Sequence, residues 1–355
     1  MSSVKSRKMV HIGDHHVGAE AQPYIIAELG ANFNGDFAIA EEMVARVAEA
    51  GVQAAKFQSW TKESIMIPEL YAGKDAEIRS FGHAKQEALL DYLSLSEEGH
   101  HTAKQICDKY GVAFSSTPIS FRHVDLLVDL DVPFLKVASM DLNHPLFIRY
   151  IAEKQIPVIM STGMGTYAEI DKAISIFEEV GNDQLILLHC TSLYPPADDE
   201  INLRNLHDFM DRYPYPIGYS DHSLGVTIPL AAVAMGASVI EKHYTLDKDM
   251  EGWDHAVSAT PDEFAEIVTQ SRRIVTALGA ATRTLSEREL GQKPTFRRSL
   301  VYARDLETGA IITRDDLTFK RPGTGIPPNE YARVIGSELR AAVQADTLVE
   351  WGQIE

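Results

Sequence analysis

Two histidines stand where apolar segments that read as neighbouring strands come to an end: His222 in GYSDHSLG and His243 in SVIEKHYT. Imidazoles on adjacent strand ends come close enough to share a divalent transition metal. Either one alone reads more simply as a hydrogen-bonded structural residue. The pairing, with Glu241 and Asp221 alongside, turns the reading toward a metal. SVIEKHYT also carries three ionisable groups where an apolar strand should simply stop. Pleat alternation puts Glu241 on the face of His243 and Lys242 on the opposite face, toward helices or a loop. Glu241 is therefore a further candidate, either behind the metal or on the substrate.

Lys56 in AAKFQ and Lys136 in LKVAS lie at the inner ends of two other apolar strands. Burying an ammonium group costs several kcal/mol unless an anion meets it, so both positions ask for a bound phosphate or carboxylate. Ser116, Thr117, Ser139, Ser161, Thr162 and Ser220 fall at strand ends too and supply hydroxyl donors for phosphate oxygens. An ion pair with Glu28 or Asp221 is the plainer reading of a buried lysine, and a Schiff-base nucleophile is the competing functional one. Glu28, closing YIIAEL, suits a general base, a group behind a metal, or a lysine's partner. Asp254 and His255, in EGWDHAVSA, follow the last strand and read equally as catalytic groups reaching the mouth from a loop or as structural ones. Cys190 reads as a small packing residue, because nothing in its neighbours along the chain marks a low-pKa thiolate.

These residues need a scaffold that gathers strand ends. From Tyr24 on, short β-branched runs alternate about eight times with longer segments of helical period. YIIAEL, VQAAKFQ, VAFSS, FLKVAS, PVIMST, LILLHC, PIGYS and SVIEKHY read as strands, and several intervening helices end in glycine. Eight such units match a (β/α)8 TIM barrel of ~250 residues. An open doubly wound sheet is the alternative. Glu28, Lys56, Gln58, Ser116, Lys136, Ser139, Ser161, His189, Ser220 and His243 all sit at C-terminal strand ends, which a barrel brings to one mouth and an open sheet spreads along an edge. Residues 65–91 interrupt the pattern as an insertion, read equally as a lid or as a surface excursion.

The barrel domain is expected over residues 1–284, a charged, proline-containing linker over 285–296, and a small β-rich domain over 297–355. A domain of that size has little core of its own and is expected to dock on the barrel or on another subunit. The 355 residues are 45% hydrophobic with a formal net charge of −18, which argues against nucleic acid or an anionic membrane as partner. No apolar run is long enough to cross a bilayer, the N-terminus lacks the apolar core of a secretory signal, and two cysteines make no disulfide framework. A cytoplasmic location is the expectation.

Taken in order, AELGANFNGD, KFQ, FSSTP, LKVAS, STGM, LHCTSLYP, IGYSDHSLG, EKHYTLD and KRPGTGI resemble the sialic acid synthase family of phosphoenolpyruvate-dependent nonulosonate synthases, over nearly the whole chain from about Pro23. The resemblance implies a TIM barrel followed by an antifreeze-like SAF domain that covers the partner's site in a domain-swapped homodimer. It implies condensation of phosphoenolpyruvate with an N-acyl hexosamine aldehyde, giving a nine-carbon 2-keto acid and phosphate by C–O cleavage. Mn2+, or Mg2+ or Co2+ in its place, is then held by His222 and His243, and Glu28 orients or deprotonates the attacking water. Lys56, Lys136, Ser139, Ser161 and Ser220 match phosphoenolpyruvate-binding positions, with Thr117, Ser192 and Tyr194 beside them. Gln58, Asp254 and Tyr194 are implied at the acceptor sugar, Asp254 with a catalytic part as well. Arg321 matches an arginine that reaches the N-acyl group from the partner subunit.

Three positions depart from the family pattern: Phe33 replaces a histidine in NFNG, Ser192 an asparagine, and Trp253 a proline. All three are expected beside the acceptor, which is therefore expected to differ from N-acetylmannosamine, as a 6-deoxy diacetamido sugar would. Two other classes compete: a Schiff-base aldolase acting on pyruvate or another keto acid, and a non-catalytic sugar-binding barrel. Likeness to antifreeze proteins implies no ice binding, since fold does not carry function.

Overall fold

The first element falls outside the eightfold pattern. In the computed structural model, which describes residues 8–19, 21–75 and 82–354, β1 (Val10–Ile12) and β2 (His15–Val17) form an antiparallel hairpin. Gly13 and Asp14 make its turn, a local signal flanked by alternating apolar residues. Val10, Ile12 and Val17 cluster with Tyr24, Ile26, Phe134, Ile159, Ile186 and Val239, the inward residues of strands that follow. The hairpin thus plugs the end of the barrel at which those strands begin.

The eight strands of the repeat are β3 (Tyr24–Gly30), β4 (Ala54–Ser59), β5 (Ala113–Pro118), β6 (Leu135–Val137), β7 (Val158–Ser161), β8 (Leu185–Cys190), β9 (Ile217–Asp221) and β10 (Val239–His243). All pair in parallel in the order β5-β4-β3-β10-β9-β8-β7-β6. The two outer members, β5 and β6, lie side by side, and Ser115 Oγ donates to Phe134 O across the seam at 2.8 Å. This is the expected TIM barrel; an open sheet would leave β5 and β6 apart. Helices follow the strands, and the largest apolar core fills the layer between strands and helices. Local chemistry sets their limits: Thr166 and Thr260 start helices as capping boxes with Glu169 and Glu263, and Gly51 and Gly181 end helices at φ 78° and 71°. No helix among the described residues is long and apolar enough to cross a membrane.

Gly218 marks the tightest point in the barrel wall. A Cβ there would meet Val239 O at 2.6 Å and Leu188 Cδ2 at 2.6 Å. Gly218→Ala is expected to lower the unfolding free energy by roughly 1–3 kcal/mol, the usual cost of overpacking. A urea titration checks this; unchanged stability would mean that the wall has slack the geometry hides.

The insertion contains three short helices, Lys62–Ile65, Pro68–Tyr71 and Gln86–Leu93, and the part of it at 76–81 lies outside the described residues. Tyr71, Leu89, Leu90 and Leu93 pack with Trp60 and Trp253 in a separate apolar cluster.

The chain divides into two compact units, one ending at Gly279 and the other starting at Ala280. The expected linker, 285–296, carries two short helices, Glu287–Gly291 and Lys293–Phe296. In the second unit β11 (Ser299–Tyr302) pairs antiparallel with β12 (Leu317–Lys320), and single bridges such as Leu306–Val343 and Leu339–Ile354 tie the turns together. Leu300, Tyr302, Ile312, Ile326, Val334 and Val349 give this unit a core of its own. Asp316, almost fully buried, accepts from Thr313 N, Thr313 Oγ1 and Arg304 Nε at 2.6–2.8 Å.

Candidate active site

Side chains two apart along a strand share a face, and in this barrel the inner face changes character near its C-terminal end. Tyr24 and Ile26 lead to Glu28, Ala54 to Lys56 and Gln58, Ile159 to Ser161, Ile186 and Leu188 to Cys190, Val239 to Glu241 and His243. These polar residues, with Thr117, Lys136, Ser139, Ser192, Tyr194, Ser220 and His222, line one cavity of about 420 Å3. A larger groove of about 660 Å3 lies next to it, against Tyr167, His189, Glu200 and Phe209, but it contains neither lysine nor either metal-type histidine. Both buried lysines and both histidines line the smaller cavity.

Four buried charges form its floor. Lys56 Nζ lies 2.5 Å from Glu28 Oε2 and 3.6 Å from Glu241 Oε2, and donates to Thr117 Oγ1 at 2.9 Å. Lys136 Nζ lies 3.7 Å from Glu241 Oε1 and donates to Ser161 Oγ at 2.7 Å. Ser220 Oγ donates to Glu241 Oε1, and Gln58 Nε2 to Glu28 Oε1. The plainer reading of a buried lysine, pairing with Glu28, is what Lys56 adopts.

The electrostatics of the two acids diverge. Burial pushes Glu28 up to about 7, with Lys56 only partly opposing it and Glu241 adding to it. Burial acts on Glu241 in the same sense, but Lys136 and Lys56 outweigh it and bring that carboxyl down to about 2. Lys56 also loses from burial yet ends above its ordinary value, because Glu241 and Glu28 face it; for Lys136 burial prevails and the value falls. So Glu241 is a fixed anion between two lysines, and Glu28 exchanges protons near neutrality.

The histidines meet as expected. Their ring centroids lie 5.6 Å apart, and the Tyr194 ring lies 4.0 Å from that of His222. His222 Nδ1 bonds Thr191 O at 2.8 Å, and the ring also hydrogen-bonds the Cys190 thiol. His243 Nδ1 is buried without a hydrogen-bond partner, and burial, opposed by Asp254, holds the ring below its usual pKa and neutral. Two imidazoles on adjacent strand ends, one with an orphaned ring nitrogen, are suitable donors for a borderline divalent metal. No cluster of three or more His, Cys, Asp or Glu able to hold a metal occurs among the described residues. A metal at this pair would draw its other ligands from water or substrate, as catalytic metals do.

Other expected positions divide. Ser139 and Ser192 crowd Gly163, where any Cβ would collide with both hydroxyls, and Ser139 Oγ accepts from Gly163 N at 3.1 Å. Asp254 Oδ2 lies 3.8 Å from His243 Nδ1, beyond hydrogen-bond reach. Arg321 belongs to the second unit, where its guanidinium lies 4.9 Å over the Phe296 ring.

Several strand-end residues turn away from the mouth. Ser116 bonds Ser59 at 2.6 Å, and His189 Nε2 pairs with Ile201 O, both on the helix side by pleat parity. Of the three departures, only Ser192 lines the cavity. Phe33 is buried against Phe37 and Phe57 in the strand–helix core, and Trp253 stacks on Trp60 with rings 17° apart, in a cluster that includes the cavity-lining Ile65 and Ile119. Two residues were undervalued. Cys190 lines the cavity beside His222 and Ser139, and the alternation from Leu188 gives its direction; Glu241 takes the central place that its parity with His243 indicates.

Comparisons with known proteins agree with this geometry. Residues 43–283 match the NeuB family and residues 297–355 the SAF domain. The chain is 37% identical to an N,N'-diacetyllegionaminic acid synthase of Legionella pneumophila, over 95% of this chain and 96% of that one. It is 32% identical to the N-acetylneuraminate-9-phosphate synthase of Homo sapiens, over 94% and 93%. A crystal structure of N-acetylneuraminic acid synthetase from Leptospira borgpetersenii, in complex with citrate, superposes with a TM-score of 0.72 at 32% identity, covering 81% of this chain and 95% of that one. With a barrel, a charged mouth and a C-terminal SAF domain all in register, this chain belongs to the NeuB family.

Proposed function

We propose that the protein condenses phosphoenolpyruvate with the open-chain aldehyde of an N-acyl amino sugar, releasing phosphate and a nine-carbon 2-keto acid. The observation that carries the reading is the pair of buried lysines sharing one cavity with hydroxyl donors and two imidazoles. Lys56 and Lys136, with Thr117, Ser139, Ser161 and Ser220, suit the phosphate and carboxylate of phosphoenolpyruvate, and their placement before substrate arrives is electrostatic preorganisation. A divalent cation, Mn2+ foremost, would be held by His222 and His243 and would supply Lewis-acid polarisation of the aldehyde oxygen.

In this scheme C3 of phosphoenolpyruvate forms a bond to the aldehyde carbon, whose oxygen becomes a hydroxyl. Water adds at C2, Glu28 takes its proton, and the C2–O bond to phosphate breaks as the ketone forms. A carboxyl near 7 can accept and return that proton at neutral pH. Gln58, bonded to Glu28, and Tyr194, against His222, face the acceptor. Asp254 and, from the partner subunit of a domain-swapped dimer, Arg321 complete the sugar site. A cytoplasmic setting belongs to the same proposal. Ile65, Ile119, Met140 and Met164 give the cavity apolar lining, which favours a 6-deoxy diacetamido acceptor, and the Legionella pneumophila relative's name points the same way.

Phosphate release from phosphoenolpyruvate, measured with Mn2+ and a panel of N-acyl aldoses, tests the reading. Release is expected only when an acceptor is present, fastest with a 6-deoxy diacetamido hexose. No turnover with any acceptor, or release without one, would overturn it. Lys136, lowered in pKa by burial, is where a Schiff base would form, and borohydride trapping with pyruvate distinguishes that chemistry.

A further inference from the structure

The outward face of the same two strand ends carries an ion pair that the reaction scheme does not use. Lys242 Nζ lies 2.5 Å from Asp221 Oδ2, and the two side chains are 1% and 0% exposed. Lys242 also donates to Ser223 O at 2.5 Å, and Asp221 Oδ1 accepts from Ser223 N at 2.9 Å. Lys242 and Asp221 stand directly opposite each other in the β9–β10 ladder. Each immediately precedes one of the two histidines, so the pair sits behind the imidazoles on the other side of the sheet.

Stability alone does not account for such a pair. Two charges removed from water cost several kcal/mol each, and well-packed apolar residues of similar volume often serve equally well. What an apolar pair cannot do is hold a turn by direction. Here three polar contacts converge on residues 221 and 223, and both backbone polar groups of Ser223 are engaged. His222 lies between them, its ring bonded on the inner side to the Thr191 carbonyl and the Cys190 thiol and set against the Tyr194 ring. His243 is placed by the strand that carries Lys242.

We infer that the Lys242–Asp221 pair is a positioning device that sets the separation of His222 and His243 for a divalent metal. It acts through the two imidazoles and touches neither substrate nor cation. The inference rests on the metal reading proposed above. Outer groups that orient metal ligands typically contribute 10–100-fold in affinity, which sets the expected size.

The test is binding of Mn2+ alone to the full-length protein, followed by the electron paramagnetic resonance signal of free Mn2+, without turnover. Lys242→Met is expected to weaken binding 10–100-fold. Because that change strands a buried carboxylate and can unfold the chain, the double variant Lys242→Met/Asp221→Asn is measured beside it. The double variant leaves no lone charge and keeps an acceptor for Ser223 N, so it should regain most of the lost melting temperature while Mn2+ binding stays weak. Mn2+ affinity that recovers together with melting temperature, or that equals wild type in a folded Lys242→Met, would overturn the inference alone. Wild-type protein that takes up no Mn2+ would overturn the metal reading and this inference with it.

Discussion

His243→Ala is expected to lower turnover by roughly three orders of magnitude, the scale of several kcal/mol of Lewis-acid stabilisation. The orphaned His243 Nδ1 motivates the choice: a buried ring nitrogen without a hydrogen-bond partner is costly, and service as a metal ligand would offset that cost. His222→Ala should act alike, since its Nδ1 bond to Thr191 O orients the ring in the same cavity. Phosphate release at saturating phosphoenolpyruvate and Mn2+ measures the loss. Wild-type rates in either variant, or in wild-type enzyme after exhaustive chelation, would remove the metal from the scheme.

Glu28→Gln should cost 10²–10⁴-fold in kcat, the usual range for a positioned general base. It should also change the pH profile. In the wild type, kcat/KM is expected to rise with pH through about 7 as Glu28 loses its proton. In the variant that limb should vanish, leaving a low and flatter profile. An acid limb that persists in Glu28→Gln would assign it to another group. The same shift has a stability consequence of opposite sign. A carboxyl raised above its unfolded value holds its proton in the native state longer than in the unfolded one, so between about 4.5 and 7 native stability falls as pH rises. Relative to Glu28→Gln, the wild type should therefore lose stability from pH 5 to pH 8, as expected of a site that keeps a strained charge for function.

The four-charge floor explains why these effects should be large. Two lysines and two glutamates, each 3–6% exposed, make a nearly neutral group before ligand binds. Glu241 faces both lysines and opposes the cost of burying them, and its own low pKa makes it a poor proton acceptor. An incoming phosphate meets donors already oriented, so little reorganisation is left for the reaction itself.

Much of this protein is determined locally and is legible in its sequence. Strand parity depends only on the backbone pleat, so Glu241 and His243 share a face, Lys242 takes the other, and apolar residues deeper in each strand lead to Glu28, Lys56, Ser161 and Cys190 at the mouth. Eight repeats of strand and helix, with capping residues at the helix ends, then leave the barrel as the way to gather those ends.

Only the tertiary structure decided which charges meet. Lys56 lies between Glu28 and Glu241, on strands far apart in sequence, and Lys242 finds Asp221 on its neighbour. Loops have no period to reveal direction, which is why Phe33 and Trp253 turn into apolar clusters while Ser192 lines the cavity directly. The pKa of Glu28 is tertiary as well. A carboxyl reaches about 7 through burial and the company of another acid, and both arise when the strands close into a barrel.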